Sequence, residues 1–260
     1  MIETLMATFS KLLNLPVLAG ENGKAVDDLI IYVHWLMILL FVGWFAYFVY
    51  ALWRFNAKRH PKADHMGVRS HASSYIEVAV VVAELVLLIG FAIPMWAKAS
   101  NVTKIPDYKD ATTIQIVAQQ FAWNARYAGK DGVFGKQDLT QVAENNLFGV
   151  RADDANGKDD VQVLNEIHVP VGKPVICFVS SKDVIHSFKV IALRVTQDAI
   201  PGMRIPCWFT ATKEGRYQIN CAQLCGNGHS GMSGGFLVVE SQAAYDKWLA
   251  SKSGGAASFE

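Results

Sequence analysis

Two cysteines, a histidine and a methionine crowd into one short stretch, Cys221-Ala-Gln-Leu-Cys225-Gly-Asn-Gly-His229-Ser-Gly-Met232. Thiolate, imidazole and thioether are all metal donors. The four-residue spacing of Cys221, Cys225 and His229 would fit one face of a helix. Gly226, Asn227, Gly228, Gly231, Gly234 and Gly235 rule that helix out. The stretch is therefore expected as a loop, in which ligands converge on a point. A second histidine stands in Asp183-Val-Ile-His186-Ser, shortly after the apolar run Val175–Val179, and would reach the same place from a neighbouring strand end.

Donor type narrows the metal. Two Cys and two His could hold a structural zinc ion. Met232 argues against it, because thiolate, thioether and imidazole together select copper. Two thiolates are one more than a mononuclear electron-transfer site needs. They are used economically by bridging two copper ions, each completed by one histidine, with Met232 and a loop carbonyl as weak outer ligands. Such a pair shares one unpaired electron and offers substrate no open position, which suits electron transfer. The other two cysteines, Cys177 and Cys207, are expected as inert core thiols.

The elements that must position these donors read as short strands. Thr112–Ala118 alternates, and the parity then slips so that Phe121, Trp123, Ala125 and Tyr127 share a face, as at a bulge. Arg151–Asp160 reads as a solvated polar loop. Ile167, Val169 and Val171 alternate with Glu166 and His168, and Pro170 and Gly172-Lys173-Pro174 punctuate the chain, as on an edge strand and a turn. Val175–Val179 reads as a buried strand. Phe188–Val195, Trp208–Ala211, Arg216–Cys221 and Gly235–Val239 are further strands, and Ala243–Leu249 is a closing helix. Many short strands with regular turns make an all-β sandwich or barrel.

The first hundred residues are different. Leu29–Trp53 is uncharged throughout, and Val78–Trp96 carries one acid, Glu84. Each is long enough to cross a bilayer as a helix. The connection holds Arg54, Lys58, Arg59, Lys62 and Arg69, and positive loops stay cytoplasmic. The expected layout is a periplasmic segment 1–28, a transmembrane helical hairpin 29–96 (helices about 29–53 and 78–96, cytoplasmic loop 54–77), and a periplasmic β domain 97–260. Leu5, Met6, Phe9, Leu12 and Leu13 would give the first segment one apolar face. His34 is expected to make an interhelical hydrogen bond. With 24 basic and 23 acidic residues, the chain has no electrostatic footprint for nucleic acid.

The pattern Cys-x3-Cys-x3-His-x2-Met resembles that of cytochrome c oxidase subunit II. So do Ser181-Lys-Asp-Val-Ile-His186-Ser, Gln197-Asp198-Ala-Ile-Pro201-Gly202, and the order of two membrane helices followed by a β domain. The resemblance covers Leu29 to Leu249. It implies a cupredoxin-like, Greek-key β domain and a dinuclear, mixed-valence copper centre of the CuA type. It also implies a bacterial inner-membrane location and a haem-bearing subunit I, among other oxidase subunits, where oxygen is reduced. By position it makes Cys221 and Cys225 bridges, His186 and His229 terminal ligands, and Met232 and the Gln223 carbonyl axial ligands. It places electron arrival from cytochrome c at Phe121 and Trp123, cytochrome docking at Gln120, Asp183 and Asp198, and a proton path at Glu77. Three positions depart from the family pattern. Gln223 stands where Glu helps hold an interface magnesium, which puts that ion in doubt. Phe121 replaces the first Trp of Gln-Trp-x-Trp, and Glu84 replaces a Pro. The same copper module in a nitric-oxide reductase, and a membrane-anchored metal-binding protein without electron transfer, are the alternative readings.

Overall fold

The computed structural model describes residues 8–62, 65–67, 69–101, 103 and 105–253, so Leu5 and Met6 lie outside the described residues. The chain divides into two units, Met1–Leu15 with Ala25–Ser100, and Pro16–Lys24 with Asn101–Glu260.

The first unit holds α1 (Gly23–Arg54) and α2 (Ala72–Leu87), the latter continued by a π turn, Leu88–Ala92, and α3 (Ile93–Ser100). Pro94 explains the π turn. It has no N–H for the Gly90 carbonyl, and its ring would press on that carbonyl in a regular α-helix. Both helical spans, Gly23–Arg54 and Ala72–Lys98, are long and apolar enough to cross a membrane. Large apolar side chains such as Leu39, Phe41 and Ile89 point outward, which is the reverse of a soluble core helix. Each helix starts before its apolar block, because hydropathy marks the stretch that suits hydrocarbon whereas backbone hydrogen bonding continues through polar residues. His34 bonds within its own helix, Nδ1 lying 2.7 Å from the Ile30 carbonyl, and among the described residues no hydrogen bond joins it to α2. A carbonyl one turn back is always within its reach.

The second unit is the expected β sandwich. Its strands are β1 (Thr112–Gln119), β2 (Ala122–Tyr127), β3 (Val161–Leu164), β4 (Glu166–Pro170), β5 (Pro174–Ser181), β6 (His186–Val190), β7 (Val195–Ala199), β8 (Ile205–Thr210), β9 (Gly215–Cys221) and β10 (Gly235–Glu240), followed by α4 (Gln242–Lys252). They form two five-stranded sheets, β3-β2-β1-β5-β8 and β4-β10-β9-β6-β7. The pairs β1/β5 and β4/β10 are parallel, the others antiparallel. Ile114, Ile116, Trp123, Ala125, Val175 and Val179 face Ile167, Phe188, Val190, Ile219 and Leu237 in one buried core, as strand alternation requires.

Three local expectations fail for physical reasons. The parity slip after Ala118 is a hairpin and no bulge: Gln119 pairs with Ala122, and Gln120-Phe121 is a two-residue turn. Reversing the chain shifts side-chain parity just as an extra residue does. Phe188–Val195 is broken by a 3-10 turn at Ile191–Leu193, where Arg194 is left-handed (φ 56°) and donates to the Ile191 and Pro16 carbonyls. Arg151–Asp160 is not wholly solvated. The Asp160 side chain is buried and ion-paired to Arg126, which also donates to the Gly135 carbonyl (2.7 Å) and Gln115 Oε1 (3.2 Å). This cluster pins the excursion between β2 and β3 over the outer face of its sheet.

Burial pushes the Asp160 carboxyl up, and the Arg126 hydrogen bonds and charge only partly oppose that. Arg126→Met leaves a buried acid without its cation. It is expected to lower β-domain stability by about 3–5 kcal/mol, read as the urea midpoint of tryptophan fluorescence in the full-length protein. A midpoint equal to wild type would show that the pair is dispensable.

Candidate metal centre

β9 carries Ile219 into the core and ends on Cys221, so the first thiol hangs from a fixed strand. His186 opens β6, the antiparallel neighbour of β9, with Phe188 opposite Cys221. That register brings the imidazole two residues from the first thiol's partner. Beyond Cys221 the chain runs through Ala222–Gly228 as a loop and then a 3-10 turn, His229–Gly234, before β10. The loop returns Cys225, His229 and Met232 to the same end of the sandwich.

The donors touch one another. Cys221 Sγ lies 3.9 Å from Cys225 Sγ, 3.9 Å from His186 Nδ1 and 3.0 Å from the Gln223 carbonyl oxygen. Cys225 Sγ lies 3.3 Å from His229 Nδ1 and 3.4 Å from Met232 Sδ, and Met232 Sδ lies 3.1 Å from His186 Nδ1. The ligating atoms of His186, Cys221 and Cys225 all fall within 4.8 Å. All four cysteines are free thiols. Burial, and then the neighbouring Cys221 thiol, pushes Cys225 up to about 11.

Around this cluster the protein fixes each donor. His186 Nε2 donates to Asp183 Oδ1 at 2.8 Å, which leaves Nδ1 facing the sulfurs. Burial alone would raise the Asp183 carboxyl. Hydrogen bonds from the Gln120 main chain, His186 and the Val184 main chain outweigh it and hold the group below its usual range. Trp123 is fully buried, stands edge-on to His186, and donates from Nε1 to the Met232 carbonyl at 3.0 Å. Its own main-chain N–H donates to Asn165 Oδ1 at 2.9 Å. Nothing in the sequence marks Asn165, because its partner is 42 residues away and enters through the fold.

Phe121 and Trp123 share a parity but not a fate. Trp123 is core, whereas Phe121 sits on the hairpin turn, 37% exposed, with its ring against Gly228. A methyl on Gly228 would come within 2.4 Å of that ring, so the close approach demands glycine. Gln120 and Asp183 lie beside the donors and are both exposed, while Asp198 lies half-buried on β7 opposite Ser187. The Gln223 side chain points to solvent, and Glu77 belongs to α2 in the helical unit. Cys177 and Cys207 pair across β5 and β8, away from the cluster. Burial pushes Cys177 well up and Cys207 to about 12, which keeps both protonated and unreactive.

The donor set fits copper. It offers two thiols, two imidazole nitrogens, a thioether and a carbonyl, which exceeds the four ligands of a tetrahedral zinc site. The Asp183 carboxylate lies on the far nitrogen of His186, away from the sulfurs. A hard oxygen-seeking cation has little to bind there.

Residues 112–241 match the family described as cytochrome c oxidase subunit II, periplasmic domain. The chain is 31% identical over 231 residues to the alternative cytochrome c oxidase subunit 2 of Bradyrhizobium diazoefficiens, covering 88% of this chain and 81% of that protein. It is 30% identical over 246 residues to cytochrome c oxidase subunit 2 of Cereibacter sphaeroides, covering 86% and 77%. Among solved structures, the periplasmic domain of subunit II of cytochrome oxidase from Bradyrhizobium japonicum is similar. The two are 28% identical over 57% of this chain and 96% of that one, with a TM-score of 0.41.

Offered equal copper(I) and zinc(II) under reducing conditions, the full-length protein in detergent is expected to retain copper, measured by elemental analysis after desalting. Cys177→Ala and Cys207→Ala should leave the retained metal unchanged. Preferential recovery of zinc would overturn the soft-donor assignment.

Proposed function

Because the chain belongs to the family of cytochrome c oxidase subunit II, we propose that it is the membrane-anchored subunit that takes electrons from a cytochrome c. It hands them to the haem-bearing subunit of an oxygen-reducing oxidase. The observation that carries the reading is the closed cluster of Cys221, Cys225, His186, His229, Met232 and the Gln223 carbonyl, in which every donor contacts another donor. Two copper ions bridged by the two thiolates would supply a one-electron carrier whose geometry changes little on reduction. The protein's part is to hold that geometry. Strands β6 and β9 fix one histidine and one cysteine, and Trp123 fixes the Met232 peptide from below.

Phe121 is the proposed point of electron arrival. Its exposed ring rests on the glycine run between Cys225 and His229, so an apolar donor edge pressed against it lies next to the ligand loop. Leu224, 83% exposed in the same loop, extends the apolar contact. Asp198, Asp183 and Gln120 supply a polar rim for a basic partner, through attraction that steers more than it binds. The positive connection between α1 and α2 supports a cytoplasmic loop and a periplasmic β sandwich, with the helices in a bacterial inner membrane. Glu77, early in α2, is proposed to feed protons to the partner subunit from the cytoplasmic side. At 223 a carboxamide offers a neutral oxygen where magnesium favours a carboxylate, and no magnesium site is assigned to it.

Two measurements test this. Copper-loaded full-length protein should hold two coppers per chain and show an EPR spectrum delocalised over both nuclei. Cys221→Ser and Cys225→Ser should each abolish that signal, because one thiolate cannot bridge the pair in the same way. A four-line spectrum of one isolated copper in the wild type would sink the dinuclear reading.

Phe121→Ala removes the contact surface and leaves every donor in place. Losing about 1.5 kcal/mol of apolar contact corresponds to roughly tenfold in kcat/KM for a cytochrome c donor, with the copper spectrum unchanged. Unaltered turnover in the assembled oxidase would move electron arrival elsewhere.

A further inference from the structure

The β1–β2 turn meets the metal loop through two residues, Phe121 and Gln120, and contact with a donor protein does not account for the bonds that Gln120 makes inward. Gln120 makes two hydrogen bonds at the centre itself. Its carboxamide Nε2 donates to the Cys225 carbonyl at 2.6 Å, and its main-chain N–H donates to Asp183 Oδ2 at 2.7 Å. The other oxygen of Asp183 accepts from His186 Nε2 at 2.8 Å. One residue therefore reaches a thiol-bearing residue directly and an imidazole through a single carboxylate.

The loop has little else to hold it. Among the described residues, and apart from the Cys221 thiol at the end of β9, the Gln120 carboxamide supplies the one hydrogen bond to residues 223–228 from outside the loop and its 3-10 turn. The backbone is shaped to admit it. Gly226 has φ 132°, a region that suits glycine. A methyl there would sit 2.9 Å from Gln120 Nε2 and 3.1 Å from Phe121 Cζ.

We propose that Gln120 is a positioning residue of the metal centre. Its side chain fixes the Cys225 peptide, and its main chain orients Asp183, which holds His186 with Nδ1 turned toward the sulfurs. Cys225 leaves the sandwich on a free loop whereas His186 sits on a strand. The amide clamp is what keeps the two in register before and after metal binding. This role differs in kind from a surface role in docking a partner, which would leave the centre untouched. The inference rests on the copper reading above.

The test uses full-length copper-loaded protein in detergent. Gln120→Glu keeps the main-chain bond and the side-chain length but sets a carboxylate oxygen against the Cys225 carbonyl. Gln120→Met keeps the length and removes the donor. Loss of a partner that orients a ligand costs on the order of tenfold to a hundredfold in metal affinity. Both variants are therefore expected to surrender copper to bathocuproine disulfonate at roughly tenfold lower competitor, with a changed copper hyperfine pattern by EPR. Far-UV circular dichroism checks that each is folded, and if one is not, the other is read. Wild-type copper retention and an unchanged EPR spectrum in the folded variants, with only KM for cytochrome c raised, would overturn the inference and leave the copper reading standing. A wild-type protein that fails to hold copper would overturn both.

Discussion

The antiparallel register of β6 against β9 is the constraint on which the centre depends. With Phe188 opposite Cys221, the first residue of one strand and the last of the other come to the same end of the sandwich. A shift of one residue would turn Cys221 to the other face and carry Ile219 out of the core. The register is specified strongly because Phe188, Val190 and Ile219 are fully buried. Apolar burial in the sheet thus sets the distance between a thiol and an imidazole that share no sequence neighbourhood.

The remaining donors come from a loop, which burial cannot fix in the same way. The protein closes it from two sides. From within, the Trp123 indole donates to the Met232 carbonyl, so a core aromatic also carries a ligand's peptide. From outside, the β1–β2 turn lays Phe121 on Gly228 and brings Gln120 to Cys225. Trp123 and Phe121 stand two residues apart, one under the loop and one over it. A mobile loop would bind soft metals but would let the ligands rearrange between oxidation states. A clamped one limits that rearrangement, which is what rapid electron exchange requires.

The helical unit obeys a different solvent. Leu39, Phe41, Val78 and Ile89 are exposed on α1 and the span from α2 through the π turn. In water such surface would have to be covered. In a bilayer it is the matching face, and the helix satisfies its own backbone groups. The β sandwich inverts the pattern, with Ile114, Val175 and Leu237 inside. One chain thus carries two hydrophobic patterns, each suited to its own surroundings.

The sequence by itself determined the type of chemistry, because donor identity does not depend on fold. Cys221, Cys225, His229 and Met232 lie within twelve residues, and that soft donor set fits copper. It also determined the two membrane-length helices and most strands, since apolar length and alternation are local properties. Tertiary structure decided everything that needed two distant segments to meet. The slip after Ala118 proved to be a hairpin, because parity alone cannot distinguish an inserted residue from a reversal of direction. His34 took a carbonyl in its own helix, the partner that lies nearest. Asp160, placed by composition in a solvated loop, was drawn inside by Arg126. Gln120 and Asp183, polar residues of a kind usually found facing water, were turned onto Cys225 and His186. A hydrogen bond between residues 105 apart in the chain leaves no periodicity to read. Only the packing of the two sheets creates it.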